Sequence, residues 1–279
     1  MKNLLKDLND YGAYLRQHPF HEMLDIKNTN FTNLDIKNDS HKVKNYSPGD
    51  LQNTPYPVEL DDLIRLHFLV TNRKVSTVLE FGIGNSTIVL DHALETNKKK
   101  FGEFYKKNLR GDNLFECHTV DDDKYWFEKS QNNNTKNIKY HFSECRISTF
   151  NDRVCTFYDK IPNICPDLIY LDGPDQFSPS GSIRGISMNH KDRLPMSADI
   201  LAIEHFLLPG TLIVSDGRSA NIRFLISNFQ RSWTHTYNES ADQHYLELTE
   251  MPLGRFNKQK IEFCLDDDFY KRLNASLNK

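Results

Sequence analysis

The fold turns on Val78-Leu79-Glu80-Phe81-Gly82-Ile83-Gly84-Asn85-Ser86-Thr87, VLEFGIGNST. An apolar run carries one carboxylate, then turns through two glycines spaced by one residue into small polar residues. That is how a strand gives way to a helix where a ligand must approach the backbone closely. In the dinucleotide fingerprint a third glycine stands three positions after the second. Thr87 occupies that place. Glu80 lies two residues before the first glycine, and its carboxylate suits a ligand with a cationic or donor group better than a pyrophosphate.

Working outward, short apolar runs alternate with amphipathic segments. Strands are expected at residues 75–81, 115–120, 138–142, 167–171, 211–215, 233–237 and 244–249. Helices are expected at 86–94, 124–129, 197–208 and 220–229. In front, Leu4, Leu8, Tyr11 and Leu15 predict an amphipathic helix over residues 3–17, and Leu60, Leu63, Ile64 and Phe68 a second one. Residues 28–53 read as irregular, and the prolines of TPYP as an extended approach to the second helix. Strand–helix alternation implies a mostly parallel, doubly wound, Rossmann-like α/β sheet of seven strands with helices on both faces. The last two strands are joined by a hairpin-length turn, so one strand near the C-terminus runs antiparallel. Two segments exceed the bare alternation. Residues 96–113 are Lys-rich and read as a solvated face. Residues 174–195, PDQFSPSGSIRGISMNHKDRLP, leave the carboxyl end of a strand, where ligands bind in open α/β sheets.

The spacing Glu80-x-Gly82-x-Gly84-x-Ser86 resembles the S-adenosylmethionine loop of class I methyltransferases, with Ser86 in place of the usual third glycine. Val120, Asp121, Asp123 and Trp126 also resemble a subset of that family. Asp121 follows the second strand, where a carboxylate accepts the two hydroxyls of a ribose. It lies 37 positions after Gly84, against about 20 in the usual pattern, and the Lys-rich insertion absorbs the difference. The resemblance covers roughly residues 55–250. It implies that Glu80, Gly82, Gly84, Asn85, Ser86 and Asp121 hold S-adenosyl-L-methionine, with Ser143 beside the adenine.

Asp172-Gly173-Pro174-Asp175 and Asp216-Gly217-Arg218 end the fourth and fifth strands. Neighbouring strands bring Asp172 and Asp216 side by side, as ligands for Mg²⁺, as a general base, or as hydrogen-bonding groups for substrate. The metal reading resembles the catechol-type and macrolide-sugar O-methyltransferases. Gly217 stands where the catechol type has Asn, so Asn221 or Asp175 would have to supply the missing oxygen. His190 is a further base candidate, since imidazole titrates near neutrality. Arg184, Arg193 and Arg218 are candidates for an anionic substrate group.

The remaining features narrow the partner. The chain has 279 residues, 26% of them charged, and a net charge of −3, which offers no global field for nucleic acid. No Asn/Asp-Pro-Pro-Tyr/Phe motif or basic–aromatic stripe is present. No apolar run approaches the roughly 18–20 residues of a membrane span, and no secretory leader is visible. Five cysteines without a C-x-x-C pair read as reduced thiols in the cytoplasm. The expectation is an O-methyltransferase acting on a small hydroxylated molecule such as a sugar, compatible with a homo-oligomer. Its parts are a cap at 1–70, a catalytic domain at 71–254 and an extension at 255–279. An NAD-dependent oxidoreductase is the competing enzyme; Thr87, Glu80 and the lack of a Tyr-x-x-x-Lys pair oppose it. A catalytically silent binding protein is the third reading.

Overall fold

The computed structural model describes residues 4–24, 26 and 58–277. The irregular stretch at 28–53 and the TPYP approach lie outside the described residues. Nine strands are described: β1 Thr77–Phe81, β2 Glu116–Asp121, β3 Ile138–Phe142, β4 Cys145–Phe150, β5 Arg153–Tyr158, β6 Leu168–Leu171, β7 Leu212–Asp216, β8 Trp233–Asn238 and β9 Gln243–Leu248. Seven form one sheet in the order β3-β2-β1-β6-β7-β9-β8. Every pairing from β3 to β7 is parallel, and β9 runs antiparallel to both β7 and β8. This is the doubly wound Rossmann-like arrangement, with one reversed strand near the C-terminus.

The eight described α-helices are α1 Tyr11–Gln17, α2 Leu60–Asn72, α3 Asn85–Asn108, α4 Lys124–Ser130, α5 Asp199–Ile203, α6 Ser219–Ile226, α7 Gly254–Cys264 and α8 Asp266–Leu277. Successive strand residues serve opposite cores. Val78, Leu168 and Val214 pack under α1, α2 and α3, while Leu79, Ile169 and Ile213 pack under α5 and α6. A sheet buried on both faces accounts for the near-continuous apolar runs of its central strands.

Several boundaries differ from expectation for visible reasons. The front helix begins only at Tyr11, because the Asp10 side chain accepts from Ala13 N at 2.9 Å and caps it. The Lys-rich segment is largely the continuation of α3, with Lys98, Lys99, Lys100, Lys106 and Lys107 exposed. The helix expected at 197–208 is five residues of α5 followed by a 3-10 turn at Glu204–Phe206. Two features were missed: the β4–β5 hairpin and the C-terminal helices α7 and α8. The hairpin clamps the 174–195 insertion, taking Ser180 beside Arg146 and Ser197 beside Thr156. The insertion is therefore a strap held at both ends beside the carboxyl edge of the sheet.

Candidate active site

Strand order reverses at β1, which has β2 on one side and β6 on the other, and ligands bind at such a switch point. Two loops meet there with no space between them. Gly82 has φ +98°, and a Cβ on it would stand 3.0 Å from Gly173 N. A Cβ on Gly173 would come within 2.7 Å of Gly82 N and 2.8 Å of the Tyr158 hydroxyl. Gly84 is different. Its φ of −166° is open to any residue, it is exposed, and the nearest protein atom to an added Cβ is 4.0 Å away. Neither its backbone nor packing among the described residues demands glycine at 84, and it sits at the start of the 24-residue helix α3.

Glu80 is fully buried and faces inward: it accepts from Ser86 Oγ at 2.6 Å and Thr87 Oγ1 at 2.8 Å. Burial pushes its carboxyl up to about 8. In this arrangement Glu80 fastens the loop to the strand. Asp121, at the end of β2, accepts from Ile83 N and Asp123 N, both at 2.7 Å, and so ties the glycine loop to its own. Burial raises it to about 7. Asn85 opens α3 beside it, and Ser143 lies next to Asp121, whose carbonyl accepts from Ser143 N at 2.9 Å. The Ser143 hydroxyl accepts from Lys160 N at 2.8 Å.

Two groups that sequence reasoning missed stand around this junction. The Tyr158 hydroxyl, of a residue only 5% exposed, is occluded without a hydrogen-bond partner among the described residues. Beside it Asp122 has its carboxylate occluded and facing Ser178, and burial raises it to about 6. A buried hydroxyl without a partner is costly in isolation. Asp122 was legible only as one member of an acidic triplet, and Tyr158 arrives on the missed hairpin.

The second acidic group is built as the strand order requires. Leu171 and Ser215 are paired, so Asp172 and Asp216 emerge side by side. The carboxylates that converge with Asp216 are Glu59 and Asp62, at the start of α2, with ligand atoms within 4.8 Å of one another. Asp172 stands outside that trio, and its side chain is half exposed. Arg65 lies among these acids, paired with Asp61 at 2.8 Å and in contact with Asp62. Burial, then Asp172 and Glu59, push Asp216 up to about 8. Arg218 crosses between the two strand ends, donating to the carbonyls of Asp172 and of Pro174, the latter at 2.8 Å. Asn221 is spent elsewhere: its amide exchanges hydrogen bonds with the Ser197 backbone on the other face. His190 stays within the strap, accepting from Asp192 N at 3.2 Å and lying 4.0 Å from the Asp192 carboxylate.

No family model matches the chain, and no curated protein matches it. Solved structures do. The O-methyltransferase TomG from Streptomyces achromogenes, in complex with SAM, is 14% identical over 77% of this chain and 95% of its own, with a TM-score of 0.37. The O-methyltransferase from Bacillus cereus, in complex with SAH, is 12% identical over 85% of this chain and 98% of its own, with a TM-score of 0.36. CalS11, a TDP-rhamnose 3'-O-methyltransferase of calicheamicin biosynthesis, is 12% identical over 78% and 94%, with a TM-score of 0.40.

The described helices include none long and apolar enough to cross a membrane. All five cysteines are free.

Proposed function

We propose that the chain is an S-adenosylmethionine-dependent methyltransferase that methylates a hydroxyl of a small polar molecule, such as a sugar, in the cytoplasm. The observation that carries this reading is Gly84, a glycine that nothing among the described residues requires, exposed at the start of a long helix beside Asp121. A ligand approaching the backbone at that point supplies the missing reason. The unpartnered Tyr158 hydroxyl fits the same ligand, since a nucleoside offers acceptors. Asn85, Ser143 and Asp121 would line its nucleoside side, and Glu80, Ser86 and Thr87 would keep the loop in position.

Bound there, S-adenosylmethionine would supply a methyl group on a sulfonium for transfer to an acceptor oxygen. The chain's own contribution is mainly to hold the acceptor in line, because orientation supplies much of the barrier reduction in such transfers. Asp216, raised to about 8, is placed to take the hydroxyl proton once it ionises as pH rises toward 8, with Asp172 beside it. His190 would reach the acceptor only through the strap. The oxygen donors of Glu59, Asp62 and Asp216 suit Mg²⁺, although Arg65 is a competing cation already seated on Asp62. Residues 1–70 would cap the acceptor side, and residues 255–279 would extend the far edge of the catalytic domain.

Thermal unfolding with S-adenosylmethionine, S-adenosylhomocysteine and NAD, each with and without Mg²⁺, tests the reading. Either S-adenosyl ligand at a hundred times its Kd is expected to stabilise the fold by about 2.7 kcal/mol. Stabilisation by NAD alone overturns the assignment, and no response to any ligand favours a silent binding protein.

A further inference from the structure

A second group of chemically paired side chains lies on the other face of β7 and β9. In their register Asp216 pairs with Gln243 and Ser215 with His244, so His244 points away from the Asp216 group toward α6. Ser219, three residues past Asp216 and half-buried at the first turn of α6, contacts His244 Nε2 through Oγ at 2.7 Å. His244 Nδ1 in turn lies 3.0 Å from His235 Nε2 on β8. The two contacts allow two proton arrangements, one of which has the serine as donor. If Nε2 accepts from the serine hydroxyl, the ring proton sits on Nδ1 and donates to His235. That is the nucleophile, base and orienting group of acyl-transfer catalysis, assembled from three elements.

The Ser219 hydroxyl also hydrogen-bonds the Tyr237 side chain on β8. Ser219 is inside the helix, and the capping position belongs to Arg218, so its hydroxyl is not spent on capping. The first turn of α6 has no carboxylate and no side-chain cap. The groups facing His244 are His235 and Tyr237 on β8, Arg223 on α6 and Asp242 in the β8–β9 turn. Burial, then His235, lowers His244, and burial lowers His235, which leaves both rings in the neutral form that accepts a proton.

We infer that Ser219, His244 and His235 form an activated serine site for an acyl group delivered as an ester or thioester. Ser219 Oγ attacks the acyl carbon while its proton passes to His244 Nε2. The bond to the leaving alkoxide or thiolate breaks, and that group takes the proton back from His244. Water then attacks the acyl-serine by the same path in reverse, releasing the acid and restoring the hydroxyl. The site is independent of the methyl-transfer reading and stands or falls without it.

The full chain is incubated with an alkyl fluorophosphonate, which forms a phosphorus–oxygen bond at an activated serine as fluoride leaves, and the adduct is mapped by mass spectrometry. A single adduct at Ser219 is expected, absent in Ser219→Ala and formed at least about a hundredfold more slowly in His244→Gln, the scale of lost base catalysis. His235→Gln is expected to slow labelling less. In the unaltered chain the labelling rate should rise with pH below about 6.5 and then level off. Hydrolysis of p-nitrophenyl acetate should follow the same profile. No adduct at Ser219, unchanged labelling in His244→Gln, or a flat profile from pH 5 to 7.5 overturns the inference; a purely structural hydrogen bond would give these results.

Discussion

At the scale of single residues, the three glycines of the switch point do different work, and substitution separates them. Gly82 has a left-handed backbone and backbone atoms against its missing Cβ. Gly82→Ala is therefore expected to destabilise the fold by about 1–3 kcal/mol, the usual cost of such strain. Gly173→Ala meets three atoms closer than 3.0 Å and should be at least as damaging. Gly84→Ala meets no described atom closer than Ser86 Oγ at 4.0 Å, an ordinary contact. Its melting temperature should match the unaltered chain, while affinity for S-adenosylmethionine falls about tenfold or more, a loss of ~1.4 kcal/mol. Calorimetric titration beside a melting curve reads both quantities. Unchanged affinity in Gly84→Ala would remove the observation that supports the cofactor site.

At the scale of elements, the C-terminal helices are docked by buried charge. Glu247 on β9, 2% exposed, accepts from Arg73 NH1 at 2.9 Å and from Arg272 of α8, whose second bond is 2.8 Å. Lys260 of α7 contacts Asp167 at the foot of β6. Glu247→Ala leaves two guanidinium groups facing each other without their carboxylate. The expected loss is about 3–5 kcal/mol, as for other broken buried pairs, measurable as a lower urea midpoint. Arg272→Ala should cost less, because Arg73 keeps its partner. None of this was visible beforehand. Strands and helices with strong apolar periodicity were legible: β3 was placed residue for residue, and β1, β2, β6 and β7 within two. The β4–β5 hairpin was not, because Arg146, Ser148, Arg153 and Thr156 break its apolar signal. Alpha7 and α8 are amphipathic but polar, and they dock through ion pairs and through Phe263 against Phe104 and Tyr105, all between residues far apart in sequence. At the site, Glu80, Gly82, Gly84 and Asp121 were legible because one strand-to-helix turn carries or touches them all. Glu59, Asp62, Asp122 and Tyr158 come from elsewhere, and only folding brings them in.

At the scale of the whole molecule, buried titratable groups set opposing pH dependences. Burial raises Glu80 and Asp216 to about 8 and Asp121 and Asp199 to about 7. Between the unfolded carboxylate value and those values the folded state binds more protons, so their contribution is full at acid pH and is lost as pH rises toward 8. The histidines act the other way. His67 is fully buried, 2.7 Å from the Tyr14 hydroxyl and 2.9 Å from His92, and burial holds it well below the ordinary imidazole range. His18 and His92 beside it are lowered too, again by burial first. The unfolded state then binds more protons, so stability falls as pH drops below about 6.5. Because α1 meets α2 through Tyr14 and His67, the acid limb should begin with release of the N-terminal segment. Above about pH 6.5 only the carboxylates among these groups titrate, so the melting temperature of the ligand-free chain is expected to fall from pH 6.5 to 8, while below pH 6.5 the two sets oppose one another. Glu80→Gln should flatten the fall above pH 6.5, and His67→Gln should raise the melting temperature at pH 5 relative to that at pH 7. Hydrogen exchange at pH 5 should show Tyr11–Gln17 losing protection before β1. A melting temperature still rising from pH 6.5 to 8 would mean that Glu80 and Asp216 ionise in the folded chain as they do in water, contrary to their burial.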